Sequence, residues 1–185
     1  VAKDYAQIGG ASPLPRLTEG QARALEAELE RRVPGRFATA VAMRYWAPWT
    51  EDAVRALLAR GCDRFLHLPL YPQESLATTE SSSRELRRAL ALLAPAAPLA
   101  ELRSYATAPG YVAAVRATVD EGLAALRTEG AVAPTVLFSA HGLPERFVRA
   151  GDPYVAQVRA TRDLVVNGLD APTEHVPGDD ELLST

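Results

Sequence analysis

Helical and extended patterns alternate along this chain from Thr18 to Val166, and that alternation leaves few folds open. Thr18 begins "TEGQ", a capping box in which Gln21 reaches back, and it predicts a helix to about Arg32 that ends at Pro34–Gly35. Phe37 to Trp46 reads as a buried strand. Thr50 is placed to cap a second helix that Gly61 closes. Arg64 to Leu70 is the next strand, and the polar loop "YPQESLATTESSS" follows it. "RELRRALALL" predicts a third helix stopped by Pro95, and "LAELRSY" a third strand. Pro109 opens a helix reaching about Arg127. "PTVLFSA" is the fourth strand, and Asp152–Pro153 start a last helix to about Val166. This order calls for an α/β fold of parallel βαβ units with right-handed crossovers.

In such a sheet, ligands bind outside the carboxyl ends of the strands. Those ends read "MRYW", "LPLYPQ", "RSYATAPG" and "SAHGLPE". Tyrosines, an arginine, a histidine and the long loops therefore gather at one rim. The opposite rim carries the short turns "VPGR" and "ARGCD". The functional face follows from this asymmetry alone.

The chain has 185 residues, 48% of them apolar and 23% charged, as in ordinary soluble globular domains. A formal net charge of -3 argues against a nucleic-acid surface. No apolar run is long enough to span a bilayer. The single cysteine, Cys62, cannot form an internal disulfide, and a cytoplasmic setting fits. Its place after Gly61 reads as a small half-buried residue. It also excludes an iron–sulfur centre held by this chain. "IGGAS" lacks the preceding strand that a dinucleotide fingerprint requires.

His141 is the residue with the clearest chemical promise. It ends an apolar run and precedes Gly142. A neutral imidazole there can contact a metal or accept a proton near neutral pH, although single histidines are often satisfied core groups. His67, inside "FLHLPL", reads as a packed histidine with a backbone partner. His175 lies in a polar, Pro/Gly-rich tail and reads as solvated. Arg44 and Tyr45 read either as a stacked rim pair or as a guanidinium and a phenol facing a ligand. Trp46 and Trp49 flank Pro48, and packing is expected for at least one of them. Asp152 reads as a helix cap, with Pro153 in the first turn.

"DYAQIGGASPL", "AMRYWAPW", "LPLYPQESLATTESSSREL" and "LFSAHGLPERFVRAGDPYVAQVRAT" together resemble ferrochelatases, the enzymes that insert Fe²⁺ into a porphyrin at the end of haem synthesis. The resemblance is collinear from about Asp4 to Leu164. It implies two Rossmann-like lobes, each a parallel sheet flanked by helices, with the porphyrin in the cleft between them. It further implies a first lobe at residues 1–104 without its first strand and the start of a second lobe at residues 105–166; the polar, Pro/Gly-rich composition of residues 167–185 reads as a disordered tail. His141 would be the catalytic and metal-contacting residue. Tyr5, Ser12, Arg44, Tyr45, Gln73, Ser75 and Thr78 would contact the porphyrin. Fe²⁺ is then a substrate, and no tightly bound cofactor is expected.

The sequence departs from the family wording at several positions. Ala47 and Ala108 stand where histidines are usual, Glu74 where an aromatic is usual, and Glu80 where glycine is usual; Asp4 stands where a basic residue often precedes the tyrosine. The acidic partner of His141 has no counterpart in the matched segment. An open sheet without its first strand would expose an unpaired edge. The chain alone is therefore expected to be of low stability and weakly active. Self-association or a complementing chain would supply what it lacks, and peripheral membrane association is compatible with a tetrapyrrole substrate. Two rivals stand beside the iron-insertion reading. One is a truncated, non-catalytic porphyrin-binding fragment; the other is a chelatase for another tetrapyrrole or metal. Protoporphyrin and coproporphyrin both remain open as substrates.

Overall fold

A computed structural model of the chain describes residues 6–7, 9–167, 169 and 173–174. Tyr5, His175 and most of the expected tail lie outside the described residues. The chain forms two compact units, one of residues 1–67 and 83–100, the other of residues 68–82 and 101–185.

The first unit is built on α1 (Leu14–Arg32), α2 (Thr50–Ala59), β1 (Phe65–His67), most of α3 (Thr79–Leu93) and β2 (Leu99–Glu101). Its core is Val54, Phe65, Ala89 and Leu90, with Leu57, Leu58, Leu86, Leu93, Ala97 and Leu99 packed around them. The spacing explains the packing. Val54, Leu57 and Leu58 lie on one face of α2, and Leu86, Ala89, Leu90 and Leu93 on one face of α3. Each fully buried aliphatic or aromatic side chain here contributes roughly 2 kcal/mol. Gly61 ends α2 at φ +82°. The Cys62 N–H donates to the Leu57 carbonyl at 3.1 Å and the Gly61 N–H to Leu58 at 2.9 Å, the paired closing bonds that a left-handed residue permits. Cys62 is half-buried, as its position suggested.

Helix α1 begins at Leu14, four residues before the capping box that the sequence nominated. Pro13 and Pro15 fit a first helical turn, where missing N–H groups cost nothing, so the turn forms ahead of Thr18. Helix α3 likewise starts five residues early and takes in "TESSS". Ser and Thr favour loops because their hydroxyls compete for backbone groups. In α3 that competition is settled elsewhere. Ser83 is fully buried and its hydroxyl lies 3.2 Å from His67 Nδ1, and Glu80 sits in the first turn, where a carboxylate suits the helix dipole. His67 is thus a packed histidine with a side-chain partner on α3.

The segment from Phe37 to Trp46 is not a strand. A strand needs a ladder partner, and no described segment pairs with it. It is held instead at Thr39, whose N–H and hydroxyl donate to Glu26 at 2.5 and 2.7 Å, and at Met43, whose N–H donates to the Pro48 carbonyl at 2.8 Å. Phe37 is about half exposed, and Trp46 and Trp49 are both exposed, so neither tryptophan packs as expected.

The second unit holds α4 (Pro109–Thr128), β3 (Val136–Leu137), α5 (Glu145–Arg149), α6 (Tyr154–Val166) and β4 (Thr173–Glu174). Pro109 opens α4 as expected. Helices α4 and α6 pack together. Arg116 of α4 donates to the Leu164, Val165 and Asn167 carbonyls, so a guanidinium satisfies the orphan acceptors at the carboxyl end of α6. Ala106, Leu123, Leu143 and Val165 are buried.

The fold is α/β, with helices around small pieces of sheet. In place of three strands in a first lobe and one at the start of a second, the described residues form two two-stranded pieces, β1–β2 and β3–β4. Strands β3 and β4 pair in parallel, Val136 with Thr173 and Leu137 with Glu174. The sequence showed no strand pattern at Thr173. Two residues carry too little periodicity to register, and the pairing is made by β3. Prolines shorten β1: Pro69 and Pro72 lack N–H donors, and the ladder stops at His67.

Candidate active site

The second unit brings together the loop at residues 71–78, the segment at residues 104–106, and Asp152 with the first turns of α6. Every link is a hydrogen bond to a named side chain. The Gln73 amide donates to Thr161 Oγ1 at 3.1 Å, and the Glu74 N–H to Gln157 Oε1 at 2.8 Å. The Ser75 hydroxyl donates to Asp152 Oδ2 at 2.9 Å, and the Leu76 N–H to the same oxygen at 2.7 Å. The Ser104 hydroxyl meets Gln157 Oε1 at 2.7 Å, and Thr161 Oγ1 donates to the Ala106 carbonyl at 2.8 Å. Helix α6 therefore presents Gln157 and Thr161, four residues apart on one face, to two loops at once.

Of the nominated residues, Ser75 is 2% exposed and its hydroxyl is engaged with Asp152. Gln73 and Thr78 are half-buried. The Thr78 carbonyl accepts the Ser82 N–H at 2.9 Å, which ties the loop to α3. Glu74 and Glu80, two positions where this chain departs from the family wording, both bind Arg103, at 2.7 and 3.0 Å. Their carboxylates hold the Arg103 guanidinium protonated beyond its usual range, Glu74 most strongly. A further pair of aromatics stands at the end of the third predicted strand. Tyr105 and Tyr111 meet edge to face at 5.5 Å, and burial raises the Tyr105 hydroxyl above its ordinary range, with Tyr111 adding to it.

His141 lies four residues beyond β3 and is exposed. Burial first, and the Asp152 charge last, raise the Tyr154 hydroxyl above its ordinary range, with the His141 backbone pulling the other way. Asp152 is 7% exposed and also accepts the Tyr154 N–H at 2.9 Å. The helix-cap role read from "GDPY" is present, together with cross-links that no local pattern announces. Among the described residues, no group of three or more His, Cys, Asp or Glu side chains could hold a metal ion. None of the helices there is long and apolar enough to cross a membrane.

In the first unit, Ser12 is exposed and its Oγ accepts the Leu14 N–H at 3.3 Å, at the start of α1. The Arg44 guanidinium stacks 4.9 Å above the Tyr45 ring, and Tyr45 is 74% exposed. The stacked rim pair is thus present, with its outer face open. Tyr5 lies outside the described residues.

The family model for ferrochelatase matches residues 1–177. The chain belongs to the ferrochelatase family. Among curated ferrochelatases, it is similar to that of Desulfotalea psychrophila, 41% identical over 158 residues, which cover 85% of this chain and 48% of the relative. The ferrochelatase of Geotalea uraniireducens is 41% identical over 172 residues, 93% of this chain and 52% of the relative. That of Parasynechococcus marenigrum is 43% identical over 173 residues, 89% of this chain and 42% of the relative. The chain spans about half the length of the ferrochelatases it matches. Sequence reasoning found the family through the "SAHGLPE" and "GDPY" wording. It missed Gln157, Thr161 and Arg103 as residues that organise the ferrochelatase loop. The available signal was the i, i+4 spacing of the two polar residues on α6.

Proposed function

We propose that this chain supplies the porphyrin-gripping and metal-delivering part of a ferrochelatase, which inserts Fe²⁺ into a porphyrin. Fe²⁺ and a porphyrin bearing two pyrrole N–H groups give haem and two protons. The observation that carries this reading is membership of the family together with an exposed His141 in the same unit as the loop at residues 71–78. His141 contacts the incoming metal or accepts a pyrrole proton. A lone imidazole suits the task, because the metal must leave for the macrocycle and a tight site would retain it.

Arg44 and Tyr45 offer a half-buried guanidinium and an exposed phenol to a porphyrin carboxylate or the macrocycle edge, with Ser12 and Tyr5 as further contacts. Gln73, Ser75 and Thr78 shape the wall, Ser75 through the backbone it anchors. The finer architecture goes with this reading: two Rossmann-like lobes, with the macrocycle in the cleft between them. Fe²⁺ acts as substrate, no resident cofactor is required, and the setting is cytoplasmic.

Titration with protoporphyrin IX followed by absorbance, then anaerobic addition of Fe²⁺, tests the reading. Binding and insertion by the wild-type chain, with insertion lost in His141→Ala while porphyrin affinity stays within a few-fold, is the expected result. Full insertion by His141→Ala would overturn the role of the imidazole. Binding without insertion would favour a non-catalytic porphyrin-binding fragment.

A further inference from the structure

The loop that leads into α3 has neither helix nor strand, yet every residue from Pro72 to Ala77 is bonded. The Pro72 carbonyl accepts the Tyr105 N–H at 2.9 Å. The Gln73 side chain reaches Thr161, and the Ser75 hydroxyl and Leu76 N–H reach Asp152. The Glu74 N–H donates to Gln157, and the Glu74 carboxylate accepts from Arg103 Nε at 2.7 Å. The Ser75 carbonyl accepts the Glu80 N–H at 3.0 Å, and the Ala77 N–H donates to Ser75 Oγ at 3.1 Å. Surface loops ordinarily leave such groups to water and move. Here the partners come from the segment at residues 103–106, from α6 with its cap, and from the first turn of α3.

Two residues of α6 join the loop to the segment at residues 104–106. Thr161 does so through the Gln73 side chain and the Ala106 carbonyl. Gln157 takes hold of the loop backbone itself. Its Oε1 meets the Glu74 N–H at 2.8 Å and the Ser104 hydroxyl at 2.7 Å. An amide oxygen has two lone pairs, so one side chain accepts from both segments at once.

We propose that Gln157 is a positioning residue for the porphyrin, holding residues 72–77 as a preformed wall rather than a lid that closes on the ligand. The consequence for binding rests on the chelatase reading above. A wall that is ordered in the free chain loses little conformational entropy when the macrocycle arrives, whereas a mobile loop would have to be ordered at that moment. Gln157 acts through the Glu74 backbone. Loosening it lowers the grip on the porphyrin and leaves the chemistry at His141 alone.

Amide exchange followed by NMR on the full chain, with and without protoporphyrin IX, reads the wall directly. In the wild type, exchange at Glu74 and Leu76 should change by less than about twofold when porphyrin is added. In Gln157→Ala, both amides should exchange about tenfold faster without porphyrin and recover when it is saturating. Leu76 keeps its own bond to Asp152 in that variant, so its acceleration reports that the loop is held as one unit. Porphyrin affinity, measured by absorbance, should fall about fivefold to tenfold, while KM for Zn²⁺ stays within about twofold. Gln157→Glu keeps an acceptor oxygen and should stay within about twofold of the wild type in every readout.

Should Gln157→Ala fail to fold, Thr161→Val takes the acceptor from Gln73 at nearly constant shape and should move porphyrin affinity in the same direction. A wild-type loop that gains about tenfold protection on binding porphyrin is a lid, and that result overturns the proposal. Unchanged exchange in Gln157→Ala overturns it too, as do equal losses in Gln157→Ala and Gln157→Glu. A wild-type chain that neither binds protoporphyrin IX nor inserts Zn²⁺ would sink the chelatase reading, and exchange in the porphyrin-free variant would still decide whether Gln157 holds the loop.

Discussion

The two units keep their chemically interesting residues in place by opposite means. In the first, a small apolar core between α2, α3 and β1 provides the order, and the nominated contacts project from it. Arg44 stacks on an exposed Tyr45, and Trp46 and Trp49 stand open to solvent. The charged links there are surface pairs, such as Arg88 with Glu51 and Glu85, all partly exposed. Such pairs contribute about 0–1 kcal/mol. In the second, the loop at residues 71–78 is held by hydrogen bonds to Asp152, Gln157 and Thr161, two of them buried. An apolar core tolerates decoration at its rim. A buried polar network does not, because each lost partner strands another group.

The comparison can be broken most severely at the first unit's core. Phe65→Ala removes a ring that is 7% exposed and should cost about 3–5 kcal/mol, read as a lowered denaturation midpoint. Amide protection at Leu76 in the second unit should outlast that at Val54; simultaneous loss would show that the units do not differ in what stabilises them. Thr161→Val tests the second unit on its own terms. It takes the acceptor from the Gln73 amide and the donor from the Ala106 carbonyl, and should cost about 1–3 kcal/mol with no cavity.

A smaller effect is expected at Glu26. Hydrogen bonds from Arg60 first, and then Thr39, lower its carboxyl from an ordinary 4.5 to about 2. A depressed carboxyl stabilises the folded state above its ordinary pKa, and that contribution fades as pH falls from about 4.5 toward 2. The melting-temperature gap between wild type and Glu26→Gln should therefore be largest near neutrality and close as the solution is acidified; a constant gap would deny the linkage. Smallest in stability is Arg44→Ala, within about 0.5 kcal/mol because no cavity forms. Protoporphyrin affinity should fall all the same. A large drop in stability with unchanged affinity would make Arg44 a structural residue of the first unit.

Local chemistry was enough to place several features. Pro109 opens α4, Gly61 closes α2, Asp152 caps α6, and the amphipathic faces of α2 and α3 name their own core. Each of these depends on residues within a turn or two of one another, and the sequence states such relations directly. The family wording around His141 was equally legible. Other features were decided by partners far along the chain. Phe37–Trp46 has the apolar content of a strand, but no described segment offers it a ladder, and it forms irregular backbone with bends from Arg44 onward. "TESSS" favours loops, but Ser83 finds His67 and the helix runs through it. Ser75 has a partner that no local pattern announces, because Asp152, 77 positions away, accepts its hydroxyl. Strand pairing and polar satisfaction are relations between distant residues. Their energies do not exist until the chain has folded, and only the tertiary structure could assign them.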